Sequence, residues 1–376
     1  MKHMKMGFIV NPIAGMGGRV GLKGTDGVLE KAIILGAKPV APKRARKFLT
    51  KLRNLELLAK IKIITCPGLM GEWETREIGI KFEVLPLPMK IKTTADDTKK
   101  AVRTLISEKW HTDLIVFVGG DGTARDILDA LGEKRIPVIG VPAGVKMYSG
   151  IFAVNPEEAA EVVKAYVEGG AEITEFEIMD ADEEAIRRDR FELRLYGYLR
   201  GPYLPMRIQG TKQLSPATLD EKENQRGIAK SIMEEMDHNA TYILGPGTTV
   251  KTLAEMLGFK KTVLGVDMYV DGKIINDVNE RVILENVKDW RKTWIIVSPI
   301  GGQGIIFGRG NQQISPEIIK RVGREHIIVL ATKDKIQRLK NKALMVDTGD
   351  PEVDEMLRGY IKVITDYREW RLIKVR

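Results

Sequence analysis

The sequence predicts an α/β protein of two domains, the first built on a parallel sheet and the second of α/β or α+β type. Short apolar runs alternate with amphipathic stretches along the 376 residues, which is the pattern of strand–helix–strand units. The strand-like runs are apolar on both faces, as in a parallel sheet covered by helices. Such sheets bind ligands at the carboxyl ends of their strands, and a chain of this length is expected to form two domains.

The first domain is predicted to span residues 1–155 and to bind a nucleotide. Its elements alternate in order along the chain. The predicted strands are MGFIV, KIIT, FEVLPL, the apolar run from Leu114 to Val118, and IPVIGVP. The predicted helices are residues 28–35, the stretch that begins KRARKFLTKLR, TADDTKKAVRTLISEK with its acidic first turn, and residues 124–131.

The second domain is predicted to span residues 156–350 and to bind the acceptor of a reaction. NPEEAAEVVKAYVEG is a helix leading out of the first domain, FELRLYGYLR has the alternation of a half-exposed strand, and GPYLPMRIQGTKQLSPA resembles a loop. A second alternation then follows: ATYIL, a helix over 250–257, the hairpin TVLGVDMYVDGKI, WIIVS, EHIIVLAT and the helix DPEVDEMLRGYIKVI. The last segment, 351–376, is a helix and strand for which a return to the first domain is an open alternative.

Composition restricts the class of protein. A formal net charge of +9 and a pI near 9.3 favour anionic ligands without choosing among them. Cys66 is the only cysteine and no apolar run approaches the roughly 18 residues of a membrane span, so we expect a cytoplasmic protein. The basic run KPVAPKRARKFLTKLR lacks interleaved aromatic residues, so we expect no nucleic-acid partner. Four scattered histidines offer no zinc-ligand spacing.

The stretch GGDGT carries the clearest chemical signal. This stretch separates the most strand-like run from a helix and consists of Gly119, Gly120, Asp121, Gly122 and Thr123. Glycines at such a turn allow positive φ, so that backbone N–H groups converge on an anion at a helix N-terminus. Asp121 would repel a phosphate unless a Mg²⁺ ion joins them, and the same carboxylate could accept a proton from an attacking hydroxyl. The structural alternative is a tight turn in which Asp121 only caps the helix.

Two further glycine loops follow strands. NPIAGMGG places Gly15, Gly17 and Gly18 after the first strand, although the spacing misses the dinucleotide fingerprint and a flexible loop is the alternative. GPGTT places Gly245 and Gly247 before two threonines at a helix start, and this predicts an anion-binding nest that includes Thr248 and Thr249.

Taken together, these motifs resemble a known superfamily. Five stretches are similar to parts of NAD kinases, diacylglycerol kinases and sphingosine kinases: NPIAGMGG, GGDGTARD, GVPAGVKMYSG, GPGTT and SPIGGQG. The chain most resembles the ATP-NAD kinase-like family, in its archaeal and acetoin-operon-type branch. SPIGGQG resembles the NAD kinase stretch that touches the nucleotide, and Asn279-Glu280 resembles an asparagine–glutamate pair that reads an adenine edge.

The resemblance implies an activity and a set of site residues. We expect a Mg²⁺-dependent kinase that transfers phosphate from ATP to the 2′-hydroxyl of NAD and gives NADP, with Asp121 as catalytic residue and Asp126 as a tentative second metal ligand. The resemblance implies NAD and ATP as partners and a homo-oligomer, without a membrane partner. A kinase of another small-molecule or lipid hydroxyl, or a nucleotide sensor without turnover, remain open, as does the donor. Phosphates of the nucleotide are expected at Asn11, Gly15, Gly17, Gly18, Gly119, Gly120, Gly122 and Thr123, and the acceptor at Gly245, Gly247, Thr248, Thr249, Ser298, Gly301 and Gly302.

Overall fold

A computed structural model describes residues 3–22, 29–144, 147–181, 193–204, 207–208, 219–300, 304–339 and 342–376. Backbone contacts divide the chain into two units. Unit 1 comprises Met1–Met16 and Gly24–Gln213, and unit 2 comprises Gly17–Lys23 and Leu214–Arg376. The boundary predicted from the sequence lies near residue 155, whereas the contacts place it at 213/214 and assign residues 351–376 to unit 2.

Unit 1 contains the predicted parallel sheet. Its five strands lie in the order β3-β2-β1-β4-β5. Every residue of β4 is buried, because helices pack on this sheet. The strand order reverses between β1 and β4, and this switch point is where open α/β sheets bind ligands. The strands are β1 (Met4–Val10), β2 (Ile61–Thr65), β3 (Phe82–Val84), β4 (Leu114–Gly119) and β5 (Val138–Pro142).

The helices of unit 1 form two packed pairs, α2 with α6 and α4 with α5. Among them, the helix predicted from residue 124 begins at Asp121, because Gly120 is its extended N-cap residue. GGDGT therefore runs into the first helical turn instead of ending before it. The helices are α1 (Leu29–Ile34), α2 (Ala41–Asn54), α3 (Glu72–Glu77), α4 (Ala95–Leu105), α5 (Asp121–Leu131) and α6 (Pro156–Val167).

An antiparallel hairpin of β6 (Glu172–Ala181) and β7 (Leu193–Tyr203) completes unit 1. The sequence predicts β7 but not β6, whose alternating acids give a weak strand signal. The hairpin packs on α5: a side chain at Gly197 would meet Leu128 at 2.7 Å, and Asp180 forms an ion pair with Arg125. This contact explains why the hairpin belongs to the first unit.

Unit 2 is built on a nine-stranded mixed sheet in the order β10-β9-β8-β11-β13-β15-β16-β14-β12. β8, β11, β13 and β15 are parallel neighbours, and β9 with β10 forms the predicted antiparallel hairpin. The strands are β8 (Thr241–Leu244), β9 (Asp267–Val270), β10 (Lys273–Ile275), β11 (Thr293–Val297), β12 (Ile305–Phe307), β13 (Ile327–Leu330), β14 (Ala343–Val346), β15 (Gly359–Asp366) and β16 (Glu369–Val375).

The helices Thr248–Met256 and Lys333–Gln337 follow the parallel strands β8 and β13. The helix predicted over 250–257 begins two residues earlier, and the one predicted from Asp350 ends at Leu357, where the chain enters β15. Together the two units confirm the predicted α/β class. In the described part of the chain, no helix has the length and apolar character needed to cross a bilayer. The helices are α7 (Leu219–Glu235), α8 (Thr248–Met256), α9 (Glu280–Asn286), α10 (Pro316–Val322), α11 (Lys333–Gln337) and α12 (Pro351–Leu357).

Candidate functional site

The loops that follow β1 and β4 lie side by side at the switch point of unit 1. The backbone N–H of Asn11 donates to the carbonyl of Val118 at 2.9 Å. The Asn11 side chain donates from Nδ2 to Thr123 Oγ1, also at 2.9 Å, and Thr123 is buried. Asn11 and Thr123, both predicted to bind phosphate, therefore join the two loops to each other. The bond lies at the carboxyl ends of β1 and β4, where a ligand would bind.

Gly119 and Gly120 of GGDGT lie at points of close packing. Gly119 accepts two hydrogen bonds at its carbonyl, from the N–H groups of Ala143 (2.8 Å) and Gly144 (3.1 Å). A Cβ on Gly120 would lie 3.1 Å from the Gly144 Cα. The predicted positive φ is wrong for Gly119, Gly120 and Gly122, because the chain passes from a strand to a helix through an extended Gly120. Small residues let the two backbones touch.

Asp121 is held by a loop distant in sequence. Its Oδ2 accepts a hydrogen bond from the Tyr148 N–H at 2.7 Å, and its Oδ1 accepts one from the Ser149 N–H at 3.1 Å. The carboxylate is therefore oriented by two fixed donors, and it is not the helix N-cap, a position that Gly120 occupies. Each carboxylate oxygen has further lone pairs, so the half-buried Asp121 can still accept a proton or bind a cation.

The loop that holds Asp121 is itself tied to the hairpin. The Ser149 hydroxyl accepts a hydrogen bond from the N–H of Met179 in β6 at 2.9 Å. Burial, with the Asp121 charge as a second cause, raises the pKa of the Tyr148 phenol, so this hydroxyl stays protonated at neutral pH. Tyr148 and Ser149 lie in GVPAGVKMYSG, a stretch that carries the family resemblance. The sequence predicts no role for these two residues, because their bonds to Asp121 come from backbone groups that any residue type supplies.

The tentative metal ligand Asp126 lies near a lysine of another helix. Five positions along a helix correspond to about 140° around its axis, and Asp126 lies 3.7 Å from the ammonium of Lys99 on α4. Within the described ranges, no three or more His, Cys, Asp and Glu side chains cluster as a metal site. Nucleotide-bound Mg²⁺ needs only one or two carboxylates beside phosphates and water, so Asp121 alone fits such an ion.

The first glycine loop is divided between the two units. Gly15 belongs to unit 1, has φ +80°, and approaches so closely that a Cβ would lie 1.9 Å from the Ala143 carbonyl oxygen. Gly17 and Gly18 are counted with unit 2, where the Arg19 carbonyl accepts a hydrogen bond from the N–H of Glu280 at 3.3 Å.

Asn279, which resembles an adenine-reading residue, has a structural role in unit 2. Its side-chain oxygen accepts a hydrogen bond from the Val282 N–H at 3.0 Å and caps α9. Its Cβ lies 3.5 Å from the place of a side chain on Gly21. A cap explains this asparagine without a nucleotide.

The GPGTT loop lies at the carboxyl end of β8. Gly247 has φ +123°, as predicted for a nest, while Gly245 does not have positive φ, and a Cβ on Gly245 would lie 3.0 Å from Val297 Cγ1. Thr248 is exposed and begins α8, whereas Thr249 is buried. The Thr248 hydroxyl is therefore the accessible one of the two.

Ser298 follows the neighbouring strand β11 and is buried. Its Oγ accepts a hydrogen bond from Lys335 Nζ at 3.3 Å, and a Cβ on Gly247 would lie 3.5 Å from the Ser298 Cβ. Two adjacent loops of unit 2 thus hold five of the predicted acceptor residues: Gly245, Gly247, Thr248, Thr249 and Ser298. The other predicted residues of this group, Gly301 and Gly302, lie outside the described residues.

Family models match both halves of the chain. Residues 6–171 match the ATP-NAD kinase N-terminal domain, and residues 237–375 match the ATP-NAD kinase C-terminal domain. No curated protein matches the chain. The two domain matches cover well over half of the sequence, and the first contains Asp121 with the two loops of its switch point. The chain therefore belongs to the ATP-NAD kinase family.

Proposed function

We propose that this protein transfers the terminal phosphoryl group of ATP to the 2′-hydroxyl of NAD and forms NADP. The observation that carries the proposal is the position of Asp121, a carboxylate oriented by two backbone N–H groups at the switch point of a family domain. A carboxylate that only ended a turn would not need to be held by donors from a second loop. Such an arrangement is a suitable one if a hydroxyl must be deprotonated at a fixed point.

In this proposal Asp121 acts as the general base. One of its oxygens accepts the proton of the 2′-hydroxyl as the oxygen of that hydroxyl attacks the terminal phosphorus and the bond to the ADP oxygen breaks. The hydrogen bonds from Tyr148 and Ser149 keep the carboxylate from rotating. Positioning of this kind accounts for most of the rate in phosphoryl transfer, because little covalent chemistry falls to the protein.

The phosphates of ATP are assigned to the paired loops after β1 and β4. Asn11 and Thr123 hold these loops together. The missing side chains of Gly15, Gly119 and Gly120 allow the protein's own loops to pack closely here, because the place of each Cβ is taken by neighbouring protein atoms. The start of α5 adds partial positive charge on the same side. Gly17, Gly18 and Gly122 are retained as predicted phosphate contacts.

Asp121 is also the residue that would hold Mg²⁺. The ion, when bound with the nucleotide, would neutralise charge on the phosphates. Asp126 is retained as a predicted second ligand, although its carboxylate also lies 3.7 Å from the Lys99 ammonium.

The acceptor is assigned to unit 2. Gly247 and Thr248 begin α8 beside the buried Ser298, and the diphosphate of NAD suits backbone and hydroxyl donors at a helix start. Gly245 shapes this loop, Thr249 supports it from within, and Gly301 and Gly302 remain predicted acceptor contacts.

The experiment is an assay of the purified protein with NAD, ATP and Mg²⁺, in which an NADP-specific dehydrogenase detects the product. The proposal predicts NADP that accumulates with time and requires ATP. Turnover of ATP with another hydroxyl compound but not with NAD would indicate a different acceptor. Tight binding of NAD or ATP without any product would indicate a sensor, and either result would refute the proposal.

A further inference from the structure

Three adjacent parallel strands of unit 2 end at one edge of its sheet. β8, β11 and β13 are hydrogen-bonded neighbours in that order. Their carboxyl ends lead to the start of α8, to Ser298 and to α11, respectively. The first two loops belong to the acceptor site proposed above, whereas the loop after β13 was not predicted to have any function. Lys335 lies on α11, the helix that this loop leads to.

Lys335 lacks the partners that the neighbouring lysine has. Its Nζ makes one hydrogen bond, to Ser298 Oγ, and no carboxylate of the described ranges lies within ion-pairing distance of it. Lys333, two residues earlier on α11, forms ion pairs with Asp366 (2.8 Å) and Glu369 (2.7 Å). One lysine of the helix is thus neutralised by the protein, and the other keeps unused N–H donors.

The surroundings of Lys335 disfavour its charge. Burial lowers the pKa of this ammonium to about 8, although the charge of Glu221 on α7 acts in the opposite direction. The other charged groups on α11 are engaged elsewhere: Lys333 with Asp366 and Glu369, and Asp334 with Arg338 at 3.0 Å. An ammonium held in such a place gains more from an incoming oxyanion than a solvated surface lysine does.

We propose that Lys335 and Ser298, with the exposed Thr248 at the start of α8, bind the phosphate or diphosphate group of a ligand in unit 2. Lysine acts on phosphate as a point charge, the serine hydroxyl can donate its proton while accepting from the lysine, and Gly247 precedes the free N–H groups of α8. The identification of this ligand as the acceptor rests on the proposed function, because the diphosphate of NAD is one source of this chemistry. A free phosphate compound is the other.

The first test is the binding of inorganic pyrophosphate to the full chain, measured by calorimetry in Mg²⁺-free buffer. Lys335→Met removes the charge and keeps an unbranched side chain, and Lys333→Met is the matched control on the same helix. We expect at least a tenfold loss of affinity for Lys335→Met and less than a twofold change for Lys333→Met. Equal affinities for wild type and Lys335→Met, or equal losses for both variants, would overturn the proposal.

The second test does not depend on a neutral variant being folded. Lys335→Arg keeps its charge at all pH values used, whereas the free ammonium of the wild type loses its proton near pH 8. The ratio of wild-type to Lys335→Arg affinity for pyrophosphate should fall about tenfold between pH 7 and pH 9, and any titration of pyrophosphate itself cancels in this ratio. A ratio that stays constant would contradict a role for Lys335.

Kinetics then separate the two sources of the phosphate group. If NAD is the source, Lys335→Met raises the KM for NAD at least tenfold and leaves the KM for ATP within twofold. If pyrophosphate binding depends on Lys335 while the KM for NAD is unchanged, the site stands and its ligand is a different phosphate compound. Wild type that forms no NADP but shows Lys335-dependent pyrophosphate binding would refute the proposed function and support this site.

Discussion

Asp121→Asn is the substitution that separates the chemistry of the site from its packing. Asparagine has one acceptor oxygen, so it can keep the hydrogen bond from the Tyr148 N–H. Its NH₂ group then faces the Ser149 N–H, where the carboxylate now accepts. Exchange of one charged hydrogen bond for two opposed donors should lower the free energy of unfolding by about 1–3 kcal/mol. The loss of the general base should lower kcat at least ~100-fold, or about 2.7 kcal/mol in the barrier.

The assay is steady-state NADP formation at saturating ATP and NAD, with thermal unfolding measured on the same preparation. Asp129→Asn is the matched control, because Asp129 lies on the same helix and its carboxylate pairs with Lys99 at 2.6 Å. The control should keep kcat within a few-fold of wild type. A folded Asp121→Asn protein with kcat within a few-fold of wild type would show that Asp121 is neither base nor metal ligand.

Three further results are expected. Gly120→Val places a branched side chain with its Cβ 3.1 Å from the Gly144 Cα, and it should destabilise the protein by about 1–3 kcal/mol and weaken ATP binding, measured by calorimetry, at least ~10-fold. Gly170→Val is the control: its Cβ would have only a 3.6 Å contact, so neither effect is expected. Thr248→Val should raise the KM for NAD by about 10–150-fold, the equivalent of 1.5–3 kcal/mol, and change the KM for ATP little; equal effects would remove this loop from the acceptor site. Desolvation raises the pKa of the buried Glu74 carboxyl to about 6, so protonated Glu74 stabilises the folded state, and this contribution is lost as pH rises from about 4.5 to 6. In urea unfolding, the free energy of unfolding of Glu74→Gln should therefore rise by about 1–2 kcal/mol relative to wild type across that window. A difference that does not change with pH would contradict the raised pKa.

Much of unit 1 could be predicted because its strands are short, apolar and followed by glycines. The strand before GGDGT is buried throughout, and two predicted loops lie together because parallel strands end at the same edge of a sheet. The sequence predicts positive φ for the glycines of GGDGT, whereas the structure shows that Gly119 and Gly120 allow close packing. The contact of Gly120 with Gly144 depends on the pairing of β4 with β5, which local sequence does not encode. Glycine at a turn therefore predicts positive φ when only the sequence is known.

Other parts of the site depend on backbone groups and long-range contacts. The N–H donors to Asp121 come from a loop 27 and 28 residues later in the chain, and no residue type marks them. The sequence predicts Asp126 as a second ligand from its place five residues after Asp121, and its contact with Lys99 depends on the packing of α4 against α5, which local sequence does not encode. Lys335 had no signal either, because it meets Ser298 across 37 positions of sequence and only the parallel pairing of β11 with β13 brings them together.

The central claim is that the phosphoryl group is transferred to the 2′-hydroxyl of NAD. Phosphorus NMR of a completed reaction of the purified protein with NAD, ATP and Mg²⁺ tests it most directly, because it reports the position of the new phosphomonoester and the ADP formed. We predict a 2′-phosphomonoester on the adenosine ribose in an amount equal to the ADP. With Asp121→Asn we predict at most about one hundredth of either product in the same time. ADP without phosphorylated NAD, or a phosphate at any other hydroxyl, would contradict the account.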